Sequence, residues 1–210
     1  MKDNTRTLLF AGVLGLICAL ALAGVSQLTA PYRQANERAE EVRNYLSALG
    51  VPVGVKASSQ ELLDVFEKNV RVEQLGGQTI YQYLPESGSQ VDPVAVAVPF
   101  SGVGLWGPIR GVLALNPDFA TIRGIRFFDQ QETPGLGGEI GAEWFQNQFV
   151  GKQIVSPAGD PGFAINKPGS PQDVNSVDGI TGATMTSSRV QAILDYLAKE
   201  LWKEKQSNVQ

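Results

Sequence analysis

The stretch LLFAGVLGLICALALAGVSQL, residues 8–28, carries no charged side chain and constrains the fold more than any other part of the chain. A helix of about 20 apolar residues spans the hydrocarbon core of a bilayer. The stretch favours a retained membrane anchor, because the apolar region of a signal peptide is shorter, about 7–15 residues. The alternative is a secretory signal peptide cleaved after about Ala23. Basic residues flank both ends, so their count does not fix the orientation.

Composition limits the chemistry of the remaining chain. With 210 residues, 43% of them hydrophobic, the chain fits one globular domain plus an appendage. The net charge of −4 argues against a nucleic-acid partner. The chain has no histidine and one cysteine, which excludes histidine-based nucleophilic catalysis and an internal disulfide and argues against a zinc or iron–sulfur site. We therefore predict no metal site, and expect any redox chemistry to come from an organic cofactor or a partner.

Periodic apolar residues predict helices at both ends of the globular part. Val42, Tyr45, Leu46 and Leu49 form one helical stripe that Gly50 should end. A second helix, SSQELLDVFEKNV, has Ser58 or Ser59 as its N-cap. GAEWFQNQFVGK should be helical to about Gly151. A C-terminal helix should begin near Thr186 and bury one face, formed by Val190, Ile193, Leu194, Leu197 and Leu201.

The middle of the chain is rich in strand signals. TIYQYLP, DPVAVAVPF, IRGVLALN and IRGIRFFDQ read as strands, with a turn at residues 116–118 and a short strand at FAI. Strands between terminal helices predict an α+β fold with a mostly antiparallel sheet. We expect an anchor at residues 1–30, helices and the start of the domain at 31–93, the domain core at 94–203 and a tail at 204–210.

The segment GVGLWG, residues 102–107, matches the glycine pattern of a dinucleotide site, and Asp129 lies where that fold places its ribose-binding acid. The pattern requires a helix immediately after it, so that phosphate meets a helix N-terminus. PIRGVLALN comes next instead, and it is short and β-branched. The segment therefore predicts a hairpin between two strands.

The segment DGITGATMTSSRV, residues 178–190, combines small and hydroxylated residues just before the last helix. One interpretation is an ordinary helix cap at Thr184 or Thr186. A Ser–Lys nucleophile remains formally open. A phosphate site is the better functional interpretation, because free backbone N–H groups and the helix dipole attract anions. Gly182 and Ala183 would let the backbone approach, and hydroxyls of Thr181, Thr184 and Thr186 could bind phosphate oxygens.

The same segment resembles the flavinylation motif of membrane-anchored FMN-binding subunits. This family includes the C subunit of the sodium-pumping NADH:quinone oxidoreductase and the G subunit of the Rnf complex. The resemblance implies FMN joined by a phosphoester to Thr184, and a flavin transferase that reads Asp178. Thr181 stands where the family commonly has serine.

A second resemblance lies upstream. GVGLWGPIRGVLAL is similar to the glycine-rich segment of this family, and ETPGLGG, residues 132–138, is similar to its flavin-approaching loop. Trp106 and the glutamine before Glu132 resemble the sodium-pump protein more than the Rnf protein. The resemblance implies that Leu136 packs on the flavin ring. The remaining residues that it adds to the cofactor site are Trp106, Glu132, Thr133, Gly135 and Gly137. Residues 51–93 resemble nothing in the family.

The resemblance implies a single-pass subunit of an ion-translocating respiratory complex in a bacterial inner membrane, with its flavin domain on the periplasmic side. It passes electrons through FMN and performs no independent substrate chemistry, so no catalytic residue is expected. Its partners would be integral and redox subunits, the flavin transferase and lipid. Alternatives are an Rnf-type subunit linked to ferredoxin and NAD, a cofactor-free anchored binding module, and a secreted flavoprotein acting alone.

Overall fold

The computed structural model describes residues 2–54, 56–85 and 92–207. The chain divides into two compact units, Met1–Glu40 and Glu41–Gln210. Helix α1, Lys2–Leu49, contributes residues to both units. Among the described residues, one helical stretch, Asn4–Leu49, is long and apolar enough to cross a membrane, and its most apolar window has no buried residue.

Helix α1 continues through Pro31, although the sequence suggested a change of character at this residue. Proline removes one intrahelical N–H donor. The flanking segments are rich in helix formers, so the loss of one hydrogen bond does not end the helix. The Thr29 hydroxyl donates to Val25 O at 2.9 Å, one turn earlier.

The last turns of α1 confirm the predicted stripe. Val42, Tyr45, Leu46 and Leu49 are buried, and Gly50 ends the helix with a φ of 71°. Helix α2 covers Ser59–Asn69 and is capped by Ser58, whose side chain accepts from the backbone N–H of residue 61.

Five antiparallel strands form the main sheet in the order of the chain. They are β1 (Val70–Leu75), β2 (Gln78–Tyr83), β3 (Ala95–Val103), β4 (Pro108–Leu115) and β5 (Ile122–Asp129). The predicted α+β class and antiparallel sheet are confirmed. Strand β1 was not predicted, because it buries only Val70 and leaves its middle exposed.

Asp118 organises the predicted turn between β4 and β5. Its carboxylate accepts from the backbone N–H groups of Ala120 and Thr121 at 2.8 and 2.9 Å, and from the Thr121 hydroxyl at 2.7 Å. Burial raises the pKa of Asp118, but these hydrogen bonds and Lys205 outweigh it and leave the pKa below its usual value.

Neighbouring residues of β5 face opposite sides of the sheet. Phe127 belongs to the main core with residues of α4, Thr184–Ser207, whereas Phe128 lies against Tyr45 of α1. The main core therefore fills the space between the sheet and α4.

Short elements connect β5 to α4. They are a 3₁₀ helix (Gly137–Gly141), α3 (Glu143–Gln146), a 3₁₀ turn (Asn147–Phe149), and the parallel strands β6 (Ala164–Asn166) and β7 (Ser176–Asp178). The single helix predicted over this region is thus divided. Ala142 has an extended backbone at the break, and the buried Gln146 donates to Gly141 O at 2.8 Å.

Candidate functional site

The start of α4 presents one hydroxyl to solvent and withdraws two others. Thr184 is the first residue of the helix and is exposed. Thr186 is only 2% exposed, and its hydroxyl donates to Glu132 Oε2 at 2.7 Å. Ser187 is also buried, and its Oγ accepts from the N–H of Ile180 at 3.2 Å. Thr184 is therefore the accessible hydroxyl of these three.

The backbone before α4 is shaped to approach a ligand. Gly182 has a φ of 79°, and a Cβ on it would lie 3.1 Å from Leu136 Cδ2. The N–H of Ala183 donates to Ile180 O at 3.0 Å, closing a turn before the helix. N–H groups in the first turn of a helix lack intrahelical acceptors and lie at the positive end of its dipole. A phosphate group suits this position.

The loop ETPGLGG forms a tight turn beside this helix start. Thr133 O accepts from the N–H groups of Leu136 at 3.1 Å and Gly138 at 2.9 Å. Gly135 adopts a φ of 73°, which glycine tolerates best. Leu136 keeps 43% of its surface exposed.

Glu132 joins this loop to the β3–β4 hairpin. Its Oε1 accepts from the N–H groups of Leu105 at 2.7 Å and Trp106 at 3.3 Å. The hairpin itself closes through a bond from Gly104 N to Gly107 O at 2.9 Å. The predicted hairpin at GVGLWG is thus confirmed, since strand β4 comes after it rather than a helix.

These segments enclose a cavity of about 260 Å³, here called the Thr184 cavity. It brings together nine of the twelve predicted site residues. They are Trp106, Glu132, Thr133, Leu136, Gly137, Gly182, Ala183, Thr184 and Thr186. Pockets for whole ligands usually enclose about 300–1,000 Å³, so this cavity fits part of an FMN molecule, such as its phosphate end.

The other three predicted residues, Gly135, Asp178 and Thr181, line a neighbouring cavity of about 540 Å³, here called the Asp178 cavity. Oδ1 of Asp178 is buried and has no hydrogen-bond partner among the described residues. Gln148 fixes the main chain at this residue: its Oε1 accepts from Asp178 N at 3.1 Å, and its Nε2 donates to Asp178 O at 3.3 Å.

Sequence reasoning missed four residues that line these cavities. Leu105 and Met185 line the Thr184 cavity, and Trp144 and Gln148 line the Asp178 cavity. Leu105 and Met185 lie inside the two quoted motifs, so their adjacency was a usable signal. Trp144 and Gln148 lie in the short helical segments, and no pattern in the sequence linked them to residue 178.

Comparisons with known proteins agree with this geometry. The FMN-binding domain family matches residues 104–199. The chain is 42% identical over 105 residues to the C subunit of the Na(+)-translocating NADH-quinone reductase of Yersinia pestis, covering 50% of this chain and 39% of that protein. The corresponding protein of Vibrio anguillarum is 39% identical over 115 residues, covering 54% and 44%. The chain thus spans less than half the length of these relatives.

Longer matches cover nearly the whole chain at lower identity. The C subunit of the Pasteurella multocida reductase is 28% identical over 229 residues, covering 90% of this chain and 88% of that protein. A crystal structure of NqrC from Shewanella oneidensis shares the fold, with a TM-score of 0.66, 24% identity, and coverage of 79% of this chain and 92% of that one. The crystal structure of the equivalent protein from Parabacteroides distasonis gives 0.67, 26%, 82% and 94%. The predicted resemblance to this family of FMN-binding subunits is confirmed.

Proposed function

We propose that this chain, which carries an FMN-binding domain at residues 104–199 and is similar to the C subunits of Na(+)-translocating NADH-quinone reductases, is the flavoprotein subunit of such a complex. FMN is joined through a phosphoester to Thr184. One observation carries the proposal: within an FMN-binding domain, the exposed Thr184 begins α4 and lines a cavity of about 260 Å³.

The residues of the Thr184 cavity fit the phosphate end of FMN. Gly182 and Ala183 bring the backbone close, and the first turn of α4 stabilises negative charge. Leu136 and Trp106, with 43% and 68% of their surfaces exposed, offer apolar faces to the flavin ring. Bound FMN supplies the electron-transfer chemistry, and these residues bind and orient it.

Attachment needs a transferase and an activated flavin nucleotide. The bond forms between Thr184 Oγ1 and the flavin phosphorus, and the leaving group of the nucleotide departs with the threonine proton. Asp178, whose Oδ1 is buried without a hydrogen-bond partner in the described part of the chain, is the acid that the transferase reads. No base from this chain is required.

The apolar helix anchors the subunit in a bacterial inner membrane, and the flavin domain lies on the periplasmic side. The length and composition of Asn4–Leu49 support an anchor. Its neighbours are integral and redox subunits of the same complex, through which electrons enter and leave FMN. In this arrangement residues 1–30 are the anchor and residues 94–203 the cofactor-binding core.

Intact-mass measurement of the denatured protein, purified from membranes that contain the transferase, tests the attachment. We expect the wild-type mass to increase by FMN less one water, with the added mass on the peptide that contains Thr184. Thr184→Val should remove it, and the matched control Thr181→Val should retain it. Full flavin content in Thr184→Val would refute the proposal.

A further inference from the structure

Glu132 is a buried carboxylate at the centre of the candidate site. It is only 4% exposed. Its two oxygens accept three hydrogen bonds, from Leu105 N, Trp106 N and the Thr186 hydroxyl. A buried charge is costly unless it is hydrogen-bonded, and this carboxylate uses most of its acceptor positions within the protein.

The partners of Glu132 come from distant parts of the chain. Leu105 lies 27 residues before it, in the hairpin turn, and Thr186 lies 54 residues after it, in the first turn of α4. All three segments line the Thr184 cavity. The carboxylate therefore joins the three walls of that cavity at one point.

Two glycines allow this convergence. A Cβ on Gly104 would collide with Glu132 Oε1, and a Cβ on Gly137 would collide with Thr186 Oγ1 and lie 2.9 Å from Glu132 Oε2. Neither glycine is in the left-handed region, so turn geometry does not require glycine there. The missing side chains leave the space that the carboxylate and its partners occupy.

We propose that Glu132 is a positioning residue that assembles the Thr184 cavity, rather than a residue that binds FMN. Its carboxylate holds the Leu105–Trp106 turn and the start of α4 against the ETPGLGG loop before any flavin is attached. This proposal deepens the proposed function and rests on it, since the assembled cavity is the one that receives FMN at Thr184. It replaces direct flavin contact, which family resemblance implied for Glu132.

Amide hydrogen exchange on full-length protein in detergent tests the proposal without flavin. In the Thr184→Val background, Glu132→Ala should accelerate exchange at Leu105 N–H by about tenfold or more, because that donor loses its acceptor. Ile122 N–H, which donates to Lys152 O at 2.7 Å, serves as the internal reference and should not change. Unchanged exchange at Leu105 would overturn the proposal.

Conservative variants separate positioning from general destabilisation. Glu132→Gln should restore slow exchange at Leu105, because its amide oxygen can accept from the turn while its NH₂ group lies toward Thr186 and donates to that hydroxyl. If Glu132→Ala does not fold, Thr186→Val removes one bond and Thr186→Ser keeps it. Thr186→Val should shift the absorption spectrum of the attached flavin and Thr186→Ser should not. Identical spectra would contradict the proposal.

The two proposals fail in different ways. If Thr184 is not the attachment residue, the mass of Thr184→Val will still include flavin, whatever the exchange rates are. If Glu132 is not a positioning residue, exchange at Leu105 will be unchanged in a protein whose wild-type form still carries flavin on Thr184 by mass.

Discussion

The Thr184 and Asp178 cavities lie on either side of the same loop and treat their carboxylates in opposite ways. Glu132 accepts three hydrogen bonds in the first cavity, whereas Asp178 in the second has a buried Oδ1 without a partner among the described residues. A satisfied buried carboxylate stabilises the structure around it, and an unsatisfied one costs stability. Glu132 therefore builds the site, whereas Asp178 fits a residue that is retained for recognition.

The largest expected effect is the loss of the satisfied carboxylate. Glu132→Ala removes the acceptor of three buried or half-buried donors and leaves a void, so we expect the free energy of unfolding to fall by about 3 kcal/mol. Thermal unfolding of the full-length protein in detergent measures this, with Asp178→Ala as the matched control. Equal losses in both variants would mean that the two carboxylates do not differ in their structural role.

A smaller effect is expected from filling the space around Glu132. Gly137→Ala places a methyl group against Thr186 Oγ1 and Glu132 Oε2, and overpacking of this kind costs about 1–3 kcal/mol. Gly141→Ala, in the same 3₁₀ helix, places its methyl group 4.0 Å from Phe127 O and should be nearly neutral. The difference between their unfolding temperatures measures how tightly the space around Glu132 is filled, and no difference would argue against a tight fit.

The smallest effect on stability is expected at the unsatisfied carboxylate. Asp178→Asn keeps the shape and removes the charge, so stability should change by less than about 1 kcal/mol or rise slightly. Flavin content, measured by intact mass, should nevertheless fall strongly because the transferase no longer reads the acid. A variant that is fully flavinylated would remove the recognition role from Asp178.

Local patterns were sufficient where short-range periodicity determines burial. The stripe of Val42, Tyr45 and Leu46 was readable, because helical spacing alone places these residues on one face. The hairpin at residues 102–107 was readable because the residues after it have the composition of a strand. Strand β1 was not, because only Val70 among its residues is buried and the rest carry no clear alternation.

The site was readable in its members but not in its arrangement. The motifs named Glu132 and Thr186 separately, and nothing in the sequence indicated that they bind each other across 54 residues. Trp144 and Gln148 were missed for the same reason, since only the tertiary fold places them beside Asp178. Pairings of this kind depend on packing, which a single sequence does not encode in any local pattern.

The long sequence separation of the partners of Glu132 has a consequence for maturation. A chain still emerging from synthesis has no cavity beside Thr184 until residue 186 has reached residues 105 and 132. Under the proposals above, a flavin cannot be seated in that cavity before the C-terminal helix has docked. Covalent attachment then serves as a chemical record of completed folding, and the yellow fraction of the protein reports how many molecules have passed that checkpoint.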